Sequence, residues 1–234
     1  MSWSRRLRNR AVHAARRWVL EAGAIVPGTA EADKFGTFGA RSYFSYPPAA
    51  VYGHRAIHIG EDTLIGAGSN LIVGYSPDEV DLPARGLVIG DRCVIGAMAT
   101  LTAHESITIG DDVWFGRNVF VSDASHGYQD PSTPIGQQLG PKQPVSIGSG
   151  SWLGHGAIVL PGAQIGRNVV VGAGSVVRGE IPDHAVIAGV PAKVVRVLEP
   201  GVGWLATSGS GDLRPTWTTE EVEAMLAGEI PPLF

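Results

Sequence analysis

The chain has 234 residues, of which 32 are glycine, 16 are proline and 44% are hydrophobic. This length suits one large domain, and the composition is too apolar for a disordered chain. The formal net charge of -4 argues against a nucleic-acid-binding protein, and a single cysteine, Cys93, excludes an intrachain disulfide and a cysteine-based metal cluster. No apolar run reaches the roughly 18 residues of a membrane span, and no signal peptide is recognisable, so we expect a cytoplasmic protein.

Residues 3 to about 22 have the pattern of an amphipathic helix. Trp3, Leu7 and Trp18 fall near one face, with Ala11 and Ala14 between them. Arginines crowd the remaining surface: Arg5, Arg6, Arg8, Arg10, Arg16 and Arg17. Such a helix could bind an anionic membrane surface or an acidic partner, or its tryptophan face could pack on the body of the protein. We favour packing on the body, and assign residues 1–34 to this helix and its connector.

A strict six-residue repeat begins at Ile59. The apolar residues fall at 59, 65, 71; 89, 95, 101; 109, 115, 121; 147, 153, 159; and 165, 171, 177. A small or aliphatic residue stands two positions before most of them, on the same face of a strand. Glycine follows the first and second apolar residue of each triplet and never the third, so the structural unit is three hexads. We interpret these glycines as corners with unusual backbone angles.

The repeat predicts an all-β fold, a triangular prism of stacked 18-residue coils with a parallel β-helical course. The aromatic and Gly/Pro-rich residues 35–58 are expected to form an irregular turn that caps the stack. Insertions always follow the third strand of a coil, and the longest are at 72–88 and 122–146. They should therefore stack at one corner and bring Tyr75, His104 and His126 into one neighbourhood.

After the repeat, Ala185 and Ile187 fit one further partial coil, and we place the end of the β-helical domain, 35–197, close behind it. Residues 198–234 are expected to hold a Gly/Ser/Pro-rich linker, a short helix and an apolar tail at 230–234. Thr218 and Glu221 have the spacing of a capping box for that helix, which should end near Leu226.

Three segments carry a family resemblance: 120–135 around Ser-Asp-Ala-Ser-His-Gly-Tyr, 145–162 around Trp152-Leu153-Gly154, and 171–194, which ends in Ala-Gly-Val-Pro-Ala-Lys-Val. Over residues 57–197 the chain resembles the hexapeptide-repeat acyltransferases. Within them it is similar to the sugar O-acetyltransferases, which include galactoside, maltose and polysaccharide acetyltransferases. The resemblance implies a left-handed parallel β-helix and a homotrimer, with acetyl-CoA or another acyl-CoA in the groove between adjacent chains and a sugar or glycan as acceptor.

The resemblance also implies roles for individual residues. His126 would be the general base, because a neutral imidazole can take a proton from a hydroxyl near neutral pH. Asp123 or Asp130 would orient it, and the choice between them stays open. The residues implied to contact the donor are Trp152, against the pantetheine arm; Gly154 and His155, through backbone groups; Gly172 and Ala173, by close approach; and Lys193 and Arg196, at the CoA phosphates. No metal is required.

Two features depart from that picture or compete with it. Met98 and Thr100 stand where galactoside enzymes often place a polar amide, which leaves the acceptor pocket open. His126 alone could be a loop histidine bonded to a backbone carbonyl, and His104 is more simply a corner residue than a second catalytic group.

The principal functional hypothesis is O-acetyl transfer to a sugar hydroxyl. The alternatives are N-acyl transfer to an amino sugar or antibiotic amine, and a non-catalytic trimeric scaffold. A zinc hydro-lyase resembling the γ-class carbonic anhydrases is disfavoured, because Leu160 stands where a second histidine would be needed.

Overall fold

A computed structural model describes residues 3–228 of the chain. The apolar tail predicted at 230–234 lies outside the described residues. The body is built from three sheets of parallel strands wound by one chain, and each coil contributes one strand to each sheet. The prediction of stacked coils is therefore confirmed.

The strands of the three sheets, in the order of the coils, have the following bounds. Sheet 1 contains β1 (Thr37–Phe38), β4 (Ile57–Ile59), β7 (Leu87–Ile89), β10 (Ile107–Ile109), β15 (Val145–Ile147), β18 (Gln164–Ile165) and β21 (Glu180–Ile181). Sheet 2 contains β2 (Tyr43–Phe44), β5 (Leu64–Ile65), β8 (Val94–Ile95), β11 (Trp114–Phe115), β16 (Trp152–Leu153), β19 (Val170–Val171) and β22 (Ala185–Gly189). Sheet 3 contains β3 (Ala50–Tyr52), β6 (Asn70–Val73), β9 (Thr100–Ala103), β12 (Phe120–Ser122), β17 (Ile158–Val159) and β20 (Val176–Val177).

The core is a set of ladders formed by the apolar residue of each hexad. Ile59, Ile89 and Ile109 occupy equivalent positions in successive coils, each 1% exposed, and the strands that carry them pair in register. The small residues two positions earlier also face inward. Where such a residue is polar, its hydroxyl bonds a corner carbonyl, as Thr63 Oγ1 does with the Gly90 oxygen at 2.8 Å. Burial raises the pKa of the Cys93 thiol in this core to about 11, so the thiol is neutral.

Residues 35–58 do not form the expected irregular turn. They contain a complete first coil, in which Phe38, Phe44 and Val51 pair with Ile59, Ile65 and Leu71 of the next coil. The apolar spacing in this coil is six and then seven residues, and the extra residue interrupted the strict repeat in the sequence.

The glycines that follow the apolar residues have a different role from the one expected. Gly116 and Gly154 do not have a positive φ. A Cβ on Gly116 would lie 2.6 Å from the His155 nitrogen, and one on Gly154 would lie 2.6 Å from the Ala173 nitrogen. These glycines therefore permit close packing of one coil on the next. The left-handed corner conformation falls two residues later, at Asn118 with φ 59° and Gly156 with φ 67°.

Helix α1 (Trp3–Gly23) forms as predicted, but it does not pack on the body. Residues 4–19 are all exposed, and Trp18 is 69% exposed. Contact with the first coil begins only at the end of the helix, where Gly23 lies against the Tyr46 ring. The preferred interpretation, in which a tryptophan face docks on the prism, is wrong for the single chain.

The prism ends as predicted, but the following segment differs. Ala185 and Ile187 are fully buried in the partial last coil. The stretch expected to be a linker extends sheet 2 through antiparallel strands: β23 (Ala192–Glu199), β24 (Gly203–Ala206) and β25 (Leu213–Arg214). The short helix α2 (Thr219–Leu226) begins with the predicted Thr218–Glu221 capping box. Within the described residues, no helix combines the length and apolar character needed to cross a membrane.

Candidate functional site

The three insertions meet at the corner where sheet 3 leads into sheet 1, as the repeat predicts. They follow β6, β9 and β12. The rings of Tyr75 and His104 lie 4.2 Å apart between centroids, and Lys142 Nζ lies 5.3 Å from the centre of the Tyr75 ring. Side chains from all three insertions thus form one surface, which we call the insert corner.

The longest insertion contains a β-hairpin with a structured tip. Its strands β13 (Ala124–His126) and β14 (Leu139–Lys142) are antiparallel. At the tip, the Ser132 hydroxyl, the Thr133 hydroxyl and the Ser132 N–H bond the Asp130 carboxylate and lower its pKa to about 2. The Gln138 side chain donates to the Asp130 and Thr133 carbonyls, both at 2.8 Å. Asp130 therefore stabilises the tip and does not hydrogen-bond His126.

His126 stands exposed on this hairpin with one ring nitrogen engaged. Its Nδ1 lies 3.3 Å from the Gln138 carbonyl oxygen, a contact in which Nδ1–H donates. In that tautomer Nε2 carries the lone pair and can accept a proton. The group that contacts the His126 ring is therefore a backbone carbonyl, whereas a carboxylate was expected.

Asp123 has a different position from the one expected. Its side chain is fully buried and accepts hydrogen bonds from the His104 and Glu105 N–H groups, both at 2.8 Å. Asp123 Oδ1 also lies 3.5 Å from His104 Nδ1, which is buried and makes no hydrogen bond. The carboxylate fastens the start of the insertion to the corner of the preceding coil, because that corner presents two N–H groups that no strand pairs. The structure does not bring Asp123 to His126.

A second group of predicted residues gathers at the corner between sheets 2 and 3. Gly154 and Gly172 occupy equivalent positions one coil apart, with the Gly154 N–H bonded to Val171 at 2.8 Å. His155 and Ala173 follow them on the exposed surface. The Gly174 N–H donates to the His155 carbonyl at 2.9 Å. Backbone thus forms a narrow strip along this corner.

Trp152 points outward from sheet 2 beside this strip, and it has a partner that the sequence reading missed. Trp152 and Trp114 pair in register on adjacent strands, and they are 53% and 57% exposed. Leu64 and Val94 continue the same row toward the first coil. The sequence contained a signal for this partner, because Trp114 stands directly before the repeat residue Phe115, just as Trp152 stands directly before the repeat residue Leu153.

The two predicted phosphate-binding cations differ in availability. Lys193 is exposed and pairs with Ala188 on the neighbouring strand. A Cβ placed on Gly172 would lie 3.1 Å from the Cβ of Ala188. Lys193 therefore stands one strand beyond the backbone strip. Arg196 is occupied: its guanidinium bonds the Asp212 carboxylate, lowering the pKa of Asp212, and donates to the Trp204 carbonyl at 3.4 Å. The expectation that Arg196 reaches a phosphate is corrected, because the antiparallel extension of sheet 2 engages it and leaves its side chain 17% exposed.

Within one chain, His126 and Trp152 lie on different sides of the prism. The insert corner joins sheets 3 and 1, whereas Trp152 stands on the outer face of sheet 2, the side of the triangle opposite that corner. A site that uses both residues therefore needs two chains. Among residues 3–228 no three histidine, cysteine or acidic side chains form a group that could bind a metal.

Comparison with known proteins agrees with this architecture. Two family models match the repeat: hexapeptide repeat of succinyl-transferase over residues 86–122, and bacterial transferase hexapeptide (six repeats) over residues 144–179. WbbJ of Escherichia coli K12, named for O-acetyl transfer in lipopolysaccharide biosynthesis, is 36% identical over 157 residues, which are 64% of this chain and 76% of that protein. The galactoside O-acetyltransferase of Lactococcus lactis is 43% identical over 97 residues, and the chain covers 46% of its length.

Solved structures give the same result. Galactoside acetyltransferase in complex with coenzyme A matches with a TM-score of 0.51 and 28% identity over 61% of this chain and 65% of that one. AntD, an N-acyltransferase from Bacillus cereus, has a TM-score of 0.58 at 22% identity, covering 70% of this chain and 84% of that one. At that identity the likeness concerns the fold, the left-handed parallel β-helix.

The sequence repeat, the stacked coils and the similar proteins all indicate the same family. The chain belongs to the hexapeptide-repeat acyltransferases, in the branch that contains the sugar O-acetyltransferases.

Proposed function

We propose that this protein transfers an acetyl or short acyl group from acyl-CoA to a hydroxyl of a sugar or glycan, with His126 as the general base. One observation carries the proposal: His126 stands exposed on a hairpin braced at its tip, with Nδ1 facing the Gln138 carbonyl. Nε2 is then available to accept a proton. The relatives named as lipopolysaccharide and galactoside O-acetyltransferases support a sugar hydroxyl as the acceptor.

The residues present fit an acyl-CoA along the corner between sheets 2 and 3. Trp152 offers an exposed apolar surface, and the strip from Gly154 to Ala173 lets a linear molecule lie against backbone. Lys193 can meet a phosphate at the end of the strip. We assign no phosphate contact to Arg196.

When bound, the donor supplies a thioester whose carbonyl carbon is open to attack. His126 Nε2 accepts the proton of the acceptor hydroxyl while the hydroxyl oxygen forms the new ester bond. The carbon–sulfur bond breaks, and the proton returns from His126 to the departing sulfur. Asp123 acts through the backbone, by fixing the start of the insertion that carries His126.

The proposed assembly is a homotrimer with active sites between adjacent chains. The position of His126 and Trp152 on opposite sides of one prism supports it, because a second chain can bring its sheet 2 against the insert corner of the first. The cytoplasm is the compartment that we propose.

Substitution of His126 by alanine tests the catalytic role. Loss of a general base should lower acyl-CoA turnover by about two to four orders of magnitude, whereas donor binding should persist. Release of free CoA thiol is followed with a panel of sugars, and donor binding is measured by calorimetry. His13→Ala, on exposed α1, is the matched control and should retain wild-type turnover.

Near-normal turnover by His126→Ala would contradict the assigned base. A sugar and its amino-sugar counterpart, supplied in parallel, separate the reaction types. An ester product supports the proposal, whereas an amide as the only product would assign N-acyl transfer.

A further inference from the structure

Within residues 3–228, no other element of the chain covers the exposed sides of helix α1. Its residues 4–19 are exposed, including Leu7 at 46%, Val12 at 65%, Trp18 at 69% and Val19 at 44%. Anchorage to the prism is confined to the end of the helix, at Gly23, and to the Ile25–Phe44 bridge that follows. A long amphipathic helix in water with its apolar side exposed indicates a surface that something else covers.

The two sides of α1 differ sharply in chemistry. At about 3.6 residues per turn, one half of the helix circumference carries most of the apolar side chains and the other half carries most of the arginines. The apolar half contains Leu7, Ala11, Val12, Ala14, Ala15, Trp18 and Val19. The basic half contains Arg5, Arg6, Arg10, Arg16 and Arg17, with His13 and Asn9 among them. Arg8 is the exception, because it lies within the apolar half, between Ala15 and Val19.

The charge of α1 contrasts with the charge of the whole chain. The helix carries six of the chain's 18 basic residues and only one of its 22 acidic residues, Glu21. A helix with exposed apolar side chains on one half and arginines on the other matches the boundary between acyl chains and anionic headgroups. A second copy of the helix would cover the apolar half but would offer the arginines only one acidic residue, Glu21, as a partner.

We propose that α1 binds the enzyme to an anionic phospholipid surface. Trp18, Leu7 and the neighbouring apolar side chains enter the interface, and the arginines pair with headgroup phosphates. The inference stands apart from the assignment of His126, because no residue of α1 belongs to the candidate active site.

The test is co-sedimentation of the full-length protein with vesicles. One set contains phosphatidylglycerol and phosphatidylcholine, and the other contains phosphatidylcholine alone. We expect binding to the anionic vesicles that weakens with added salt, and little binding to the neutral ones. Arg16→Glu with Arg17→Glu should weaken anionic binding by a factor on the order of thirty or more. Trp18→Ser should weaken it through the apolar half.

Arg178→Gln, which removes an exposed cation outside α1, should bind as the wild type does, and all of these variants should retain turnover on a soluble acceptor. The proposal is overturned if the wild type does not sediment with anionic vesicles, or if the double arginine variant sediments equally well. It is also overturned if the α1 variants change the mass of the assembly while vesicle binding is absent, since a second copy would then be the occupant.

Discussion

His126 and Asp123 do not form the pair that the sequence predicted. His126 lies on the surface with Nδ1 against a backbone carbonyl, and Asp123 lies buried beneath the start of the same insertion. The actual partner of His126 could not be predicted from the sequence, because it is the backbone carbonyl of Gln138, a group that every residue possesses. The position of His126 as a candidate base could be predicted from the sequence, because its insertion interrupts a strict repeat.

Asp123→Asn tests the positioning role. Replacing one carboxylate oxygen by an amide group sets a donor against a backbone N–H, and a buried unpaired N–H costs about 1–3 kcal/mol. The insertion should shift, and kcat should fall by on the order of a hundredfold, as expected for a misplaced catalytic group. The KM for acyl-CoA and the shape of the pH–rate profile should stay those of the wild type, because His126 still acts as the base.

Glu105→Gln is the matched control for Asp123→Asn, since it removes an exposed charge at the same corner and leaves the Asp123 hydrogen bonds in place. Unchanged kcat in Asp123→Asn would refute the positioning role. A pH profile that lost its acidic limb would instead make Asp123 the titrating base.

At the scale of strands and corners, the hexad pattern predicted the coils correctly from Ile59 onward. It failed at the two ends of the prism. The first coil carries one extra residue between Phe44 and Val51, and the last strands pair antiparallel instead of stacking as a coil. A fixed sequence period predicts strands that stack as coils, but it does not predict strands that fold back antiparallel. The contact between Arg196 and Asp212 depends on such strands, so the repeat could not predict it.

The sequence pattern located the corner glycines but gave the wrong physical reason for them. Their positions were read correctly, but the physical requirement is close contact between coils and not a left-handed backbone. Gly154→Ala should therefore lower the free energy of unfolding by about 1–3 kcal/mol, as expected for overpacking, because its Cβ meets the backbone of Ala173.

Thermal melting measures this effect, and Gly136→Ala provides the control. A Cβ at Gly136 has no atom within 4 Å, so the change should stay within about 0.5 kcal/mol. Equal melting temperatures for the two variants would show that the coils can separate at Gly154 without cost.

At the scale of the whole molecule, the prism puts its two candidate functional surfaces on opposite sides. His126 stands at the insert corner, and Trp152, Gly154 and Ala173 lie on or beside sheet 2. The sequence could predict both groups of residues but left open whether they belong to one chain or two. The triangular section of the fold favours two chains, because one side of a triangle faces away from the opposite corner.

The most direct test of this account is activity in mixed assemblies of two inactive variants. His126→Ala removes the base, and Ala173→Trp fills the exposed donor strip with a bulky side chain. Each variant alone should assemble and melt like the wild type and show at most about one hundredth of wild-type turnover. If each site joins His126 of one chain to the strip of the next, a site is complete only when the first chain has His126 and the second has an intact strip. In a closed ring mixed randomly in equal amounts, about one site in four meets both conditions, so about a quarter of wild-type turnover should return. No recovery in mixed assemblies would contradict the account and place the complete site within a single chain.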